Sequence, residues 1–374
     1  MNQSQARGGK ARAGPEFPKG ISVHDVDGVV LLECRPDDLK GDGSQTQVQG
    51  SGAPEEEEEE EQQQRKSSNE MPVSIINCEM RPLFFIADLF HQASCWVTVM
   101  LFFASRGVRC FAMSFSKSRQ SLQRSGLNPA RRTVDDCTMD IDTCVRFMIF
   151  SQRLHEPVLV GHGLGASLLL KYVYFAQNEI SFPMIVVLSP VLPSWSWAYS
   201  KAIALMRNSQ CSIISALSAL WSTFRASSPL YSPEVYRALA LRCPKDEEAY
   251  NDDIVSQIWE HEVRNITEPW QVVIKLLSAG LGYESGTPII PEIVALRPEQ
   301  DVFCSAYDGA AFADFHGCRA PAILSNAAHD IMLGSNVAAL CEVLLNTVVS
   351  KIELRDKTRR EMERMLAENQ RARE

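Results

Sequence analysis

Residues 158–170, Val158-Leu159-Val160-Gly161-His162-Gly163-Leu164-Gly165-Ala166-Ser167-Leu168-Leu169-Leu170, carry an apolar strand through a glycine turn into an apolar helix. This stretch constrains the fold more than any other. An uninterrupted apolar strand suits a sheet covered on both faces. Glycine lets the chain reverse sharply where a side chain would obstruct it. The flanking segments extend the pattern. Leu83 to Ile86 is a second short apolar strand, followed by a helical pattern at Cys95 to Ser105 and a strand at Arg109 to Met113. A polar loop runs to about Arg132, a helix spans roughly Val134 to Gln152, and strands follow at Pro157 to Val160 and Met184 to Leu188. Strand and helix alternate, which predicts a mostly parallel sheet with helices on both faces.

The rest of the chain divides by composition. Residues 1–20 read as a disordered basic tail, with Arg7, Lys10, Arg12 and Lys19 against a single Glu16. Ile21 to Val26 and Val29 to Cys34 flank Asp27-Gly28, a hairpin signal that opens a first core segment over 21–192. Within it, 36–71 is Gly-, Ser- and Gln-rich and contains the unbroken run Glu55 to Glu61, whose charges repel and bury nothing. A strand is expected at Val73 to Cys78. From 193 to 285 strand patterning gives way to helical spacing, and five of the six tryptophans fall here, at 195, 197, 221, 259 and 270. This predicts an inserted helical cap in which the tryptophans pack helices or line a pocket. Core pattern returns over 286–350, with strands at Ile289 to Ala295 and Ala322 to Leu324, and 351–374 reads as a charged, exposed helix.

Charge and cysteine content narrow the function classes. A net charge of -9 gives no electrostatic footprint for nucleic acid. No apolar run reaches the ~18 residues a membrane span needs. Eleven cysteines without a Cys-x-x-Cys pair read as reduced thiols. They place the chain in an intracellular, reducing compartment, read as cytoplasmic, and point to no zinc or disulfide framework; the basic residues of the N-terminal tail leave a mitochondrial presequence as the alternative. Gly161-His162-Gly163-Leu164-Gly165 lacks the dinucleotide spacing. No metal and no cofactor is expected.

The strand, glycine turn and helix at 158–170, with Asp301 and His329 following in that order, resemble the α/β-hydrolase superfamily, whose nucleophile elbow reads Gly-x-Ser-x-Gly. The resemblance covers about Ile21 to Ser350 and implies the α/β-hydrolase fold, a mostly parallel sheet with an inserted helical cap. It places Gly163 where the superfamily has its nucleophile, Asp301 at the acid and His329 at the histidine. Leu89 and Leu164 fall at the oxyanion-hole positions. Two further motifs depart from the family. Its His-Gly pair is replaced by Ala87-Asp88, and its Asp-x-x-Gly-x-Gly loop by Ser114-Phe115-Ser116-Lys117-Ser118-Arg119. A carboxylate beside an oxyanion hole repels the charge that acyl transfer develops there. His162, preceding the elbow residue, is expected to be structural, and Ser167 to be buried one helical turn along.

Glycine has no side chain to attack a carbonyl, so an acyl-enzyme cannot start at 163. The leading reading is a hydrolase-like chain without serine-hydrolase activity, a binding or assembly component that engages a protein partner through the acidic insert or the C-terminal helix. Two alternatives remain open. Asp301 and His329 could form a dyad for ester hydrolysis or general-base chemistry on a small apolar substrate. The capped pocket could instead hold a small apolar ligand without turnover.

Overall fold

The computed structural model describes residues 17–39, 81–89, 91–115, 132–198, 200, 233–242, 250–264, 270–289 and 291–371. The acidic run, the strand expected at 73–78, Trp221 and most of the 114–119 loop lie outside the described residues.

Strand β1 (Ile21–Val26) turns back onto β2 (Val29–Cys34) through Asp27-Gly28. Both turn residues have positive φ, 51° and 83°, as a twist-matched two-residue hairpin turn requires. The amide of Gly28 donates to Asp25 Oδ1 at 2.8 Å and closes the turn. The other strands are β3 (Leu83–Ile86), β4 (Cys110–Met113), β5 (Val158–His162), β6 (Met184–Leu188), β7 (Glu292–Pro298) and β8 (Ala322–Leu324). They form one eight-stranded sheet in the order β1-β2-β4-β3-β5-β6-β7-β8. β2 meets both β1 and β4 antiparallel, and every pairing from β4 to β8 is parallel.

Helices cover both faces. Helix α1 (Val97–Ala104) follows a 3₁₀ turn at Ala93–Trp96, and α2 (Val134–Arg146) widens into a π-turn at Phe147–Ser151. A capping box starts α2. Thr133 accepts the Asp136 amide, and Asp136 accepts the amide of Thr133. Helix α3 is Gly163–Ala176. Between β6 and β7 come a single turn at Pro233–Tyr236 that widens over Arg237–Leu241, then α4 (Asp252–Trp259) and α5 (Trp270–Ala279). Helix α6 (Ala306–His316) and the long α7 (Val337–Arg371) complete the order.

One core face packs Leu31, Phe84, Phe111 and Leu159 of the sheet against α2, α3 and α5. The opposite face packs Leu32, Phe85, Val160 and Val186 against α1 and the start of α7. A small third cluster, Tyr236, Ala240, Leu241 and Val255, belongs to the segment between β6 and β7, with Trp259 packed against it. Trp197 packs against the main core, and its indole N–H donates to the Phe303 carbonyl at 3.1 Å. No helix among the described residues is long and apolar enough to cross a membrane.

Three expectations shift. β5 runs on through His162, two residues past the expected end, so the turn falls at Gly163 itself. β7 begins at Glu292 instead of Ile289 and extends to Pro298. Helix α6 was not legible, because only Gly309, Phe312 and Ala313 of its eleven residues are buried and no amphipathic stripe shows. Its start signal is local, a capping box of Ser305 with Asp308.

Candidate functional site

In the strand order, β3 and β5 are neighbours from which the chain proceeds in opposite directions along the sheet, a topological switch point that opens a crevice at the strands' carboxyl ends. Asp88 lies two residues beyond β3 and Gly163 directly beyond β5. The loops after β7 and β8 bring Asp301 and His329 to the same end. Gly163 has φ of 53° and His162 an extended backbone, which together make the sharp strand-to-helix turn. Behind that turn, the first amides of α3 have no partner within their own helix.

Asp88 supplies the partner. Its Oδ1 accepts the amides of Leu89 and Leu164, each at 2.8 Å, and that of Gly165 at 3.3 Å. Its Oδ2 lies 3.3 Å from His329 Nε2. On the other side of the ring, His329 Nδ1 sits 3.0 and 3.1 Å from the two oxygens of Asp301. Asp301 is held in turn by the amides of Phe303 at 2.7 Å and Cys304 at 3.1 Å. The imidazole of His329 is thus flanked by two carboxylates, and all three residues are buried.

The Asp88 carboxylate occupies the space that a side chain at 163 would need. A Cβ built on Gly163 would meet Asp88 Oδ2 at 2.5 Å, Cγ at 2.6 Å and Oδ1 at 2.8 Å. Gly165 is closed off more firmly, since a Cβ there would meet the Ala87 carbonyl oxygen at 2.1 Å.

Three more residues join this cluster. His91 Nε2 pairs with Asp330 Oδ2 at 2.7 Å, and both are buried. His162 donates from Nε2 to the backbone carbonyl of His329 at 3.1 Å, with the two ring centroids 4.5 Å apart. His162, expected to be structural, thus lies against the ring of His329. β5 continues two residues past its expected end, through His162, which sets this ring beside His329. Ser167 is buried as expected and bonds the Val191 carbonyl at 3.4 Å.

The electrostatics follow from burial and these contacts. Burial raises the Asp88 carboxyl, but the hydrogen bond to His329 and the charges of the nearby histidines outweigh it and hold the group at about 2. Burial likewise opposes ionisation of Asp301 and Asp330, and their histidine partners bring both below the ordinary carboxylate range. For His329 burial disfavours the cation, yet Asp301 and Asp88 hold its pKa well above the usual imidazole value. Burial opposes the His91 cation too, and Asp330 outweighs it and raises that pKa. His162, lacking a carboxylate of its own, is pushed down to about 4 by burial and then by the charge on His329. The cluster is an array of ion pairs around a neutral His162.

The residues expected from the sequence, Gly163, Asp301, His329, Leu89 and Leu164, all meet around Asp88. His91 and Asp330 were missed. Their only sequence signal is adjacency, Asp330 following His329 and His91 lying three residues beyond Asp88. Asp88, His162 and His329 can each offer one ligand atom, and these atoms lie within 4.8 Å of one another.

No protein-family model matches this sequence, and no curated protein matches it. Solved structures do. An epoxide hydrolase from Vigna radiata superposes with a TM-score of 0.50 at 16% identity, covering 89% of this chain and 97% of its own. Epoxide hydrolase I from potato, Solanum tuberosum, gives a TM-score of 0.52 at 12% identity, covering 88% and 99%. With the sheet order and helices on both faces, these similarities establish that the chain has the α/β-hydrolase fold.

Proposed function

We propose that this α/β-hydrolase-like protein is a binding or assembly component and not a serine hydrolase. One observation carries the reading. The amides of Leu89 and Leu164, at the positions where the fold stabilises an oxyanion, are already satisfied by the Asp88 carboxylate. An oxyanion formed there would have to displace a buried anion that is paired with His329. Gly163 offers no nucleophile, and its lack of a side chain is what gives that carboxylate room. The same contact argues against a general-base dyad. His329 Nε2 faces Asp88 Oδ2, and an imidazolium held between two carboxylates has no lone pair to accept a substrate proton.

A protein partner is favoured by the exposed end of α7, where Leu354, Met362, Met365 and Leu366 are 58–61% exposed. A groove of about 900 Å³ runs between this helix and residues Gln177 to Met184. Scattered exposed apolar side chains are ordinary, but a row of them on a projecting helix beside a groove suits association.

The test is a fluorophosphonate probe on the wild-type chain and on the double variant Asp88→Gly/Gly163→Ser, with any adduct located by peptide mass spectrometry. The wild type should stay unlabelled. A labelled serine in the wild type would refute the proposal outright. Association is read separately, as stoichiometric co-purification that is lost when residues 357–371 are removed.

A further inference from the structure

Among the described residues, the cluster below the β5 turn contains one arrangement that ion pairing alone does not account for. Each of three side chains has one polar atom fixed by a neighbour; the second atoms of Asp88 and His329 face each other at 3.3 Å, and that of His162 has no partner. Asp88 commits Oδ1 to the amides of Leu89, Leu164 and Gly165, leaving Oδ2. His329 commits Nδ1 to Asp301, leaving Nε2. His162 commits Nε2 to the His329 carbonyl, which makes that nitrogen the N–H and leaves Nδ1 with the lone pair. Nδ1 is buried without a hydrogen-bond partner.

We propose that Asp88, His162 and His329 form a site for a zinc-type divalent transition-metal ion. Two imidazoles and one carboxylate are the donor set of three-ligand zinc sites, which keep a further position open. Bonds of about 2.0–2.2 Å spread at a tetrahedral angle set two ligand atoms about 3.3–3.6 Å apart. Asp88 Oδ2 and His329 Nε2 already stand at 3.3 Å. One ligand atom from each of the three side chains lies within 4.8 Å of the other two. The outer contacts match as well. A ligating histidine ordinarily gives its other N–H to a carboxylate or a backbone carbonyl, and here Asp301 receives that of His329 while the His329 carbonyl receives that of His162. Binding would replace one proton at His329 Nε2 with the ion, adding one net positive charge to a cluster that also contains Asp301 and Asp330. No local pattern marks this site, because its ligands are 74 and 167 residues apart along the chain and have none of the close spacing of a zinc motif.

The inference rests on the reading that 163 is not a nucleophile, since a side chain there would take the place of the Asp88 carboxylate. The full chain, stripped with a chelator, is incubated with excess zinc chloride, desalted and assayed for bound metal. Cobalt chloride is used in parallel for its visible spectrum. One equivalent of zinc per chain, and the absorption of tetrahedral cobalt without thiolate charge transfer, are expected. Asp88→Asn keeps the amide acceptor and the shape of the side chain, and His162→Gln removes a neutral ring. Each should weaken zinc binding by about tenfold or more while retaining the wild-type circular dichroism. No stoichiometric zinc in the wild type, or zinc undiminished in both variants, would overturn the site. The fluorophosphonate assay on the same samples keeps the two ideas apart. A chain that binds no zinc and stays unlabelled loses only the metal site, whereas a labelled serine in the wild type removes the reading beneath it.

Discussion

At the scale of single residues, Asp88 and Gly163 are one device. The carboxylate needs the space over the turn, and the turn needs a residue at φ 53° with nothing in that space. Gly163→Ala adds a left-handed strain of about 1–2 kcal/mol and an overlap with Asp88 that costs about 1–3 kcal/mol more. Asp88→Gly leaves buried amides without an acceptor and removes one partner of a buried ion pair, a loss of about 3–5 kcal/mol. Combined, the two should cost less than their sum by about 1 kcal/mol or more, because the overlap exists only while Asp88 is present and vanishes in the double variant. Urea unfolding of the four proteins reads the coupling directly. Strict additivity would mean that the carboxylate and the turn are independent. The sequence exposes half of this device. Gly163 stands out in a recognisable turn, and Asp88 stands out as a departure from a motif. That the departure fills the turn is a contact between residues 75 apart, which no local pattern encodes.

At the scale of elements, the glycines of the turn differ in what they touch. A Cβ on Gly165 would strike the Ala87 carbonyl oxygen at 2.1 Å, a backbone atom of the chain leaving β3. Gly165→Ala must therefore push α3 away from β3, and Asp88→Gly should not relieve it. A Gly165→Ala variant as stable as wild type by urea unfolding would contradict this packing. The chain just after α4 is tied by polar contacts to the loop that follows β3. Gln92 donates to the His261 carbonyl at 2.8 Å, and Ser94 donates to Glu262 at 2.9 Å. Burial raises Glu262 to about 7 despite the Ser94 bond. An acid whose folded pKa is raised favours the folded state when protonated, so its contribution is present below about pH 4.5 and is lost as pH rises through 7. Glu262→Gln keeps the acceptor and removes the charge. It should stabilise the protein by up to about 3 kcal/mol at pH 8 and leave it unchanged at pH 4.5. Equal effects at the two pH values would refute the buried-charge account. Elements with strong local signals, such as the Asp27-Gly28 hairpin and β6, are legible residue by residue. Helix α6 and the start of β7 are not, because α6 buries too narrow a stripe and the apolar Ile289 precedes the strand proper.

At the scale of the whole molecule, the sheet and its two packed faces account for the fold, and α7 extends past them. Leu340, Cys341, Leu344, Val348 and Ile352 are buried at helical spacing, so the first half of α7 is part of the core. Arg355 and Asp356 then reach back to the body, Arg355 to Glu156 at 3.5 Å and Asp356 to Arg81 at 3.3 Å. Beyond them the helix is exposed to its end at Arg371. Exposed ion pairs there, such as Arg364 with Glu368 at 3.7 Å, contribute little. Stability and partner binding should therefore separate along this one helix. Removing residues 357–371 should change unfolding stability by no more than about 0.5 kcal/mol, while Leu344→Ala, which empties a packed position, should cost about 2–5 kcal/mol. Urea unfolding checks both, and a truncated chain destabilised as much as Leu344→Ala would show that the projecting turns belong to the core after all.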